Sequence, residues 1–231
     1  MDRDTFFEDA MLVTYRPAAD QSVIVPAQGS GTLSQLSRHV FRAQVNNEIA
    51  KDARWWFETG LGPMISDGVV TRNSLLNEPV VTLDDNDPMR TDILHEYFVP
   101  PGRFNDFITA CQEVIPSSYQ ELLNITLRYV AADSESILSY APAPRIACVM
   151  LFSQELTQRA EADHERMTRD LIDRVLDLGG TYYLPYRPHA TLDQFRRAYP
   201  NAEKFVEEKK FYDPDLVFRN GFWDRYLADM A

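Results

Sequence analysis

Positive charge is what this sequence has least of. Its 231 residues carry 23 Lys and Arg against 35 Asp and Glu, a formal net charge of −12. Nucleic-acid binding needs a clustered basic face to neutralise phosphates, and attachment to anionic lipid needs the same, so both classes are disfavoured. The acidity itself reads most simply as solubility. Cysteine is also sparse. Cys111 and Cys148 sit inside apolar runs and read as small buried hydrophobes, without a disulfide framework or Cys/His metal spacing. Met1-Asp2-Arg3-Asp4 mixes charges, unlike a signal peptide, and no apolar run is long enough to span a bilayer. A cytosolic protein is the default expectation. Serine elbow, GxGxxG and phosphate-cradling glycine loop are all missing, so the chain offers no nucleotide-binding apparatus of its own. Internal repeats and low-complexity segments are missing too.

What is present supports a folded domain, because 45% of residues are apolar, enough for a sizeable core. Ala10 to Tyr15 and Gln21 to Ile24 read as short strands. A capping box, Thr32 with Gln35, opens a long helical pattern running through Val45, Ile49, Ala53, Trp56 and Phe57. One of Trp55 and Trp56 lies on its apolar stripe, which favours burial over membrane anchoring. Residues 63 to 91 are aperiodic, with weak edge strands at most at Val69 to Thr71 and Val80 to Leu83. Asp84, Asp85 and Asp87 lack EF-hand spacing and read as a solvated loop.

From Ile93 the pattern sharpens. Strands are expected at Ile93 to Val99, Leu122 to Ala132, Arg145 to Ser153 and Thr181 to Tyr186. Between them lie amphipathic helices with stripes Phe104, Phe107, Ile108, Cys111, Val114, Ile115 and Ala160, His164, Met167, Leu171, Val175, Leu178. The order β-α-β-β-α-β predicts an α+β fold, the ferredoxin-like split βαβ arrangement, with both helices on one face of an antiparallel sheet. A second capping box, Thr191 with Gln194, starts the C-terminal helices, and a short aromatic tail closes the chain.

Strand alternation puts Leu123, Ile125, Leu127, Tyr129 and Ala131 towards the helices and Asn124, Thr126, Arg128 and Val130 on the other face. That second face is either plain solvent-exposed sheet or a ligand-facing floor. Arg145 to Ser153 is apolar on both sides, which argues for a covering. Tyr182, Tyr183, Tyr186, Arg187 and His189 crowd one short stretch, a polar-rimmed pocket or the rim of an interface. Of the four histidines, His164 reads as a packing residue and His39 as surface. His95 and Glu96 alternate to opposite faces and so form no pair. His189 is the candidate for chemistry.

The segments HEYFVPPGRF, LRYVAADSESILSY, GGTYYLPYRPHATLDQFRRAYP and KKFYDPDLVFRNGFWDRYL resemble the C-terminal cap, or substrate, domain of FAD-linked oxidases. These are flavoenzymes of the vanillyl-alcohol-oxidase type, with the sugar-lactone and alditol oxidase branch nearest. The likeness covers about residues 92 to 231 and reaches residues 1 to 91 only loosely. It implies an N-terminal part of the cap over 1–91, a βαββαβ core over 92–190 and C-terminal helices with a flavin-approaching tail over 191–231. It also implies FAD held mainly by a separate FAD-binding domain or subunit, a small-molecule substrate, and possible self-association through the flavin-facing surface.

Carried over by position, the resemblance gives Thr126 and Arg128 to the substrate-lining strand, where many relatives have Glu in place of Thr126. Ser153 and Tyr183 become further substrate contacts. Tyr186 falls where many relatives place a lysine near the flavin, and Asn220 matches a residue at the flavin edge. The departures at Thr126 and Tyr186 set the usual polyol or lactone substrate in question. Tyr186, His189 and Arg128 are the implied catalytic residues. Arg128 would orient substrate, and Tyr186 or His189 would take the alcohol proton, a tyrosine only if that Arg lowered its pKa.

Overall fold

The structure is a computed structural model, and it describes residues 8, 14–22, 42–61, 71 and 87–230. Contacts divide the chain into two compact units, Met1–Pro88 and Met89–Ala231. The strands expected near residues 10–15, 21–24, 69–71 and 80–83, the Thr32 capping box and most of the 84–87 acidic run lie largely or wholly outside the described residues.

In the first unit the continuous helix expected through Phe57 is interrupted. Residues 43–46 form turns, Asn46 takes a left-handed φ of 55°, and Asn47 caps a new helix, α1 (Glu48–Trp56). The Asn47 side chain accepts from the Ala50 amide at 3.1 Å, satisfying one of the orphan donors of the first turn. Trp55 and Trp56 are both exposed, against the expectation that one is buried.

In the second unit the order is β1 (Arg90–Val99), α2 (Phe104–Val114), β2 (Glu121–Val130), β3 (Arg145–Glu155), α3 (Gln158–Asp177) and β4 (Thr181–Tyr182). Then come α4 (Leu192–Ala198), α5 (Ala202–Tyr212) and α6 (Gly221–Tyr226). The four strands form one antiparallel sheet in the order β2-β3-β1-β4, so the α+β split βαβ arrangement is present. Residues paired across antiparallel strands share a face. The helix-facing set is therefore Ile93, His95 and Tyr97 of β1 with Cys148, Met150 and Phe152 of β3, all buried. Phe107 of α2 meets Tyr97 at 5.6 Å between ring centroids, and His164 of α3 meets Phe152 edge-on at 5.2 Å. Met167, Leu171, Ile172 and Val175 of α3 complete this core.

Two expectations fail at the sheet edges. Leu127 and Tyr129, assigned to the helix-covered side, are 47% and 69% exposed. β2 is an edge strand with a register shift between Leu122 and Asn124, and its C-terminal half is left uncovered by the helices. The last strand keeps only two residues rather than running to Tyr186. After Tyr182 the chain holds β1 through one further bond, the Tyr183 amide donating to the Glu96 carbonyl at 2.9 Å, and then leaves the ladder.

Glycines set the entry into β4. Gly179 has a φ of 76°, the left-handed conformation that ends a helix. A Cβ on Gly180 would lie 2.4 Å from the Phe98 carbonyl oxygen and 2.6 Å from a Val175 methyl, so α3 and β1 close on a bare backbone there. Gly180→Ala should lower unfolding stability by about 1–3 kcal/mol through overpacking. A denaturant melt reads this as a lower midpoint with an unchanged slope; an unchanged midpoint would contradict it.

Candidate functional site

The face away from the helices carries the polar groups. Cross-strand register lines up Glu96 with Val149 and Thr126, and Phe98 with Ala147 and Arg128. Phe98 and Ala147 are buried, whereas Leu94, Val149, Leu151 and Thr126 are partly open and Arg128 is exposed. Around Phe98 stands an aromatic wall. Tyr140 stacks on it at 4.3 Å, Tyr183 meets Tyr140 edge-on at 5.2 Å, and Tyr186 meets Tyr183 at 5.4 Å.

Local structure fixes each wall residue. The β2–β3 connection closes on itself where the Asp133 amide donates to the Ala141 carbonyl at 2.8 Å. The Asp133 carboxylate accepts from the Glu135 and Ser136 amides, and the bonds from Ser136 pull its pKa down to about 2. The Thr181 hydroxyl donates to the Tyr140 carbonyl, tying this loop to β4. Tyr183 is held by its backbone bond to β1. Tyr186 rides on the segment that follows.

That segment is pinned to the other side of the sheet. His189 Nε2 lies 2.9 Å from Glu161 Oε1 of α3, and Arg187 pairs with Oε2 of the same carboxylate, which also accepts from Gln154 at 2.8 Å. The Arg169 guanidinium donates to the His189 carbonyl and the Tyr226 hydroxyl to the Ala190 carbonyl, at 2.8 and 2.9 Å. Thr168 Oγ1 sits 3.3 Å from both His189 Nδ1 and His95 Nε2. With Nε2–H of His189 given to Glu161, Nδ1 accepts the Thr168 hydroxyl, and Thr168 accepts Nε2–H of His95. His164 completes a triangle of rings, 5.1 Å from His95 and 5.6 Å from His189.

Burial keeps these imidazoles neutral. It drives His95 well below its ordinary value, with the other two histidines and Arg187 adding to the effect. His164 is pushed down to about 3, chiefly by burial. His189 is lowered by burial as well, against the pull of Glu161. Glu161 feels burial in the opposite sense, but hydrogen bonds from Gln154 and His189 and the nearby Arg187 outweigh it and hold its pKa down. Neither nitrogen of His164 has a protein hydrogen-bond partner, a burial cost of about 1–3 kcal/mol. The histidines do not gather into a metal site: among the described residues no set of three His, Cys, Asp or Glu can hold an ion.

The sequence-derived residues thus separate into places. Thr126, Arg128, Tyr183 and Tyr186 come together on the open face. His189 lies behind them, buried among the helix-side histidines. Ser153 is fully buried, and its hydroxyl accepts from Arg90 Nε at 2.8 Å while Arg90 also holds the Ser153 carbonyl. Asn220 caps α6, accepting from the Trp223 amide at 2.9 Å, and lines a cleft of about 380 Å³ between α5 and the tail with Phe205, Lys209, Phe218 and Trp223. Glu96 and Tyr140 were missed. Alternation places Glu96 on the face of Phe98, but nothing local to Tyr140 announces that its loop folds back over the sheet.

Electrostatics distinguish the two acid–base candidates on this face. Burial raises the Tyr186 phenol, Glu96 and Tyr183 raise it further, and Arg128 only partly opposes them. The shift is opposite to that needed for a base near neutrality, so Tyr186 is a phenol that donates. Glu96, half-buried, is raised by desolvation and opposed by Arg128. A carboxylate raised in this way is a better proton acceptor than a solvated one. No protein-family model matches the chain, and no curated protein matches its sequence.

If Arg128 holds both groups down, Arg128→Met should move the Glu96 carboxyl and the Tyr186 phenol to higher pKa. NMR titration of site-labelled Glu and Tyr measures this, and unchanged titrations would place Arg128 outside their field.

Proposed function

We propose that this chain supplies the substrate-facing sheet of a FAD-dependent oxidoreductase acting on an alcohol- or sugar-type C–H bond. The observation that carries the reading is the open sheet face, where partly exposed aliphatic side chains are bordered by Tyr140, Tyr183, Tyr186, Glu96 and Arg128. Leu94, Val149 and Leu151 offer a flat apolar floor that suits a planar aromatic ring, and Arg128 offers a cation beside it. Among the described residues of this face there is no glycine loop for a pyrophosphate. The apolar floor and the neighbouring cation would suit the ring system of a flavin, with its phosphates held by another domain or subunit.

Bound FAD would supply a two-electron acceptor for the hydride lost by the substrate. On this chain, Glu96 takes the alcohol proton, its carboxylate made more basic by desolvation. Tyr186, kept protonated, donates a hydrogen bond to a substrate oxygen, and Arg128 offsets negative charge as the proton leaves. Tyr183 and Tyr140 present ring faces and exclude water from the floor.

Expressed together with a separate FAD-binding domain or subunit, the chain should yield a protein with flavin absorbance that bleaches on anaerobic addition of an oxidisable alcohol. A colourless joint product sinks this reading. In the flavin-loaded protein, Glu96→Gln should lower kcat by about 10²–10⁴ with KM little changed, the signature of a lost general base. Unaltered kcat would return the proton to another group.

A second reading, a non-catalytic α+β module that docks a partner, draws on a different feature. Phe211, Tyr212, Val217 and Phe218 are each at least 73% exposed within eight residues of the tail. Clustered apolar exposure of this kind is costly in water unless something covers it. Gel filtration of the isolated chain should show self-association that Phe211→Ser with Phe218→Ser abolishes. A clean monomer before and after would remove the support for this reading.

A further inference from the structure

The Tyr183–His189 limb reaches the open face on one side of the sheet and is anchored on the other through histidines. Three imidazoles sit in the core at 5%, 0% and 5% exposure, with ring centroids 5.1–5.6 Å apart. A neutral aromatic core would need none of them. His164 has no hydrogen bond from the protein at either nitrogen, so its first proton would be a charge buried with no direct counter-ion. His95 touches Thr168 and faces Tyr186 edge-on at 6.5 Å. His189 alone contacts a carboxylate, and that carboxylate is shared with Arg187.

We propose that His95, His164 and His189 form a pH-sensitive latch: uncharged, they hold the Tyr183–His189 limb in place, and proton uptake releases it from α3 while the rest of the sheet stays folded. The latch makes these three positioning residues, acting on the open face through the limb, whose Tyr186 ring His95 meets edge-on. Its consequence for binding rests on the reading of that face given above; its mechanical part does not.

The surrounding charges set the sense. Glu161, Asp163, Glu165 and Arg169 face the cluster from α3, Arg187 and Tyr186 from the limb, Tyr97 from β1 and Arg225 from α6 through Glu165 at 3.9 Å. β3 contributes Gln154 and Phe152, which are uncharged. The acids favour protonation, but only Glu161 touches an imidazole, and Arg187 and each protonated neighbour oppose it. Burial holds the closed-state pKa values below the ordinary imidazole value of 6.5, His164 at about 3. Once the limb leaves, His189 returns towards that ordinary value, and His95 and His164, which lose its cover, follow in part. The open limb therefore binds more protons than the closed one, and acid favours opening. The closed state is fully favoured above the ordinary imidazole value and loses ground as the pH falls below it.

Hydrogen–deuterium exchange of the full chain, corrected for intrinsic exchange, tests this. Each proton taken up on opening multiplies the open population about tenfold per pH unit. Peptides spanning 183–190 should open with a slope of about one to two protons between pH of roughly 6.5 and 4.5, while β3 peptides keep their protection. His164→Phe, which fills the same aromatic site without a titrating group, should reduce that slope. Glu161→Gln should open the limb already at neutral pH. Wild-type limb protection that is flat with pH overturns the latch, and so does opening of limb and β3 together as one acid-unfolding population. A limb that opens as described while the flavin-loaded protein binds substrate equally well at both pH extremes supports the latch and removes the open-face reading instead.

Discussion

One carboxylate carries an unusual share of this structure. Glu161 receives Arg187, His189 and Gln154, joining the loop after β4 to both α3 and β3. Without it the loop would face α3 with one guanidinium and an imidazole, and Arg187 would have no counter-charge in the described contacts. The bond network continues inward through Thr168 to His95, so a surface acid, a buried hydroxyl and two buried rings act as one unit. Such networks are costly to break in part, because each orphaned member keeps its desolvation penalty. Tyr186 owes its position to this anchoring, since β4 ends at Tyr182 and the last bond to β1 is that of the Tyr183 amide.

The sheet separates two kinds of chemistry by the pleat of β1. His95 and Tyr97 point into the helix layer, where burial keeps the imidazoles neutral. Glu96 and Phe98 point the other way, onto a floor shared with Thr126, Val149 and Arg128. Among the described residues the two sides meet around the strand edge, where the Tyr186 ring reaches both His95 and Tyr183. The proposed latch would therefore act on the open face through one short segment. The C-terminal helices brace that segment from outside: the Tyr199 hydroxyl donates to the Tyr182 carbonyl, Phe195 stacks on Tyr226 at 4.9 Å, and Tyr226 holds Ala190.

Much of the fold was legible because it follows from periodicity. The stripes of α2 and α3 and the alternation in β1 and β3 match their buried residues closely, and the Thr191–Gln194 capping box is present as read. What failed depends on long-range geometry. Leu127 and Tyr129 have the right spacing for the core, but spacing does not say that β2 lies at the edge and outruns the helices. Tyr182 to Tyr186 has strand composition, yet Pro185 and the pull of Glu161 on Arg187 and His189 take the chain off the ladder. The site was legible in part. Arg128 and Thr126 were placed by alternation, whereas Tyr140 arrives from a loop whose closure on Ala141 has no periodic signature. His164 was read as packing, and it is; its meaning comes from His95 and His189, which are distant in sequence and converge only in the fold.

The central claim is that the sheet face opposite the helices is the working surface and is covered when the flavin-bearing part is present. Tyrosine nitration followed by mass spectrometry tests it directly. Tyr140 and Tyr183 should react in the isolated chain and be shielded in the flavin-loaded protein, while Tyr129, 69% exposed on the edge strand, should react in both. Equal nitration of Tyr140 and Tyr183 in the two forms would contradict the claim, because the face would then carry no flavin and no partner.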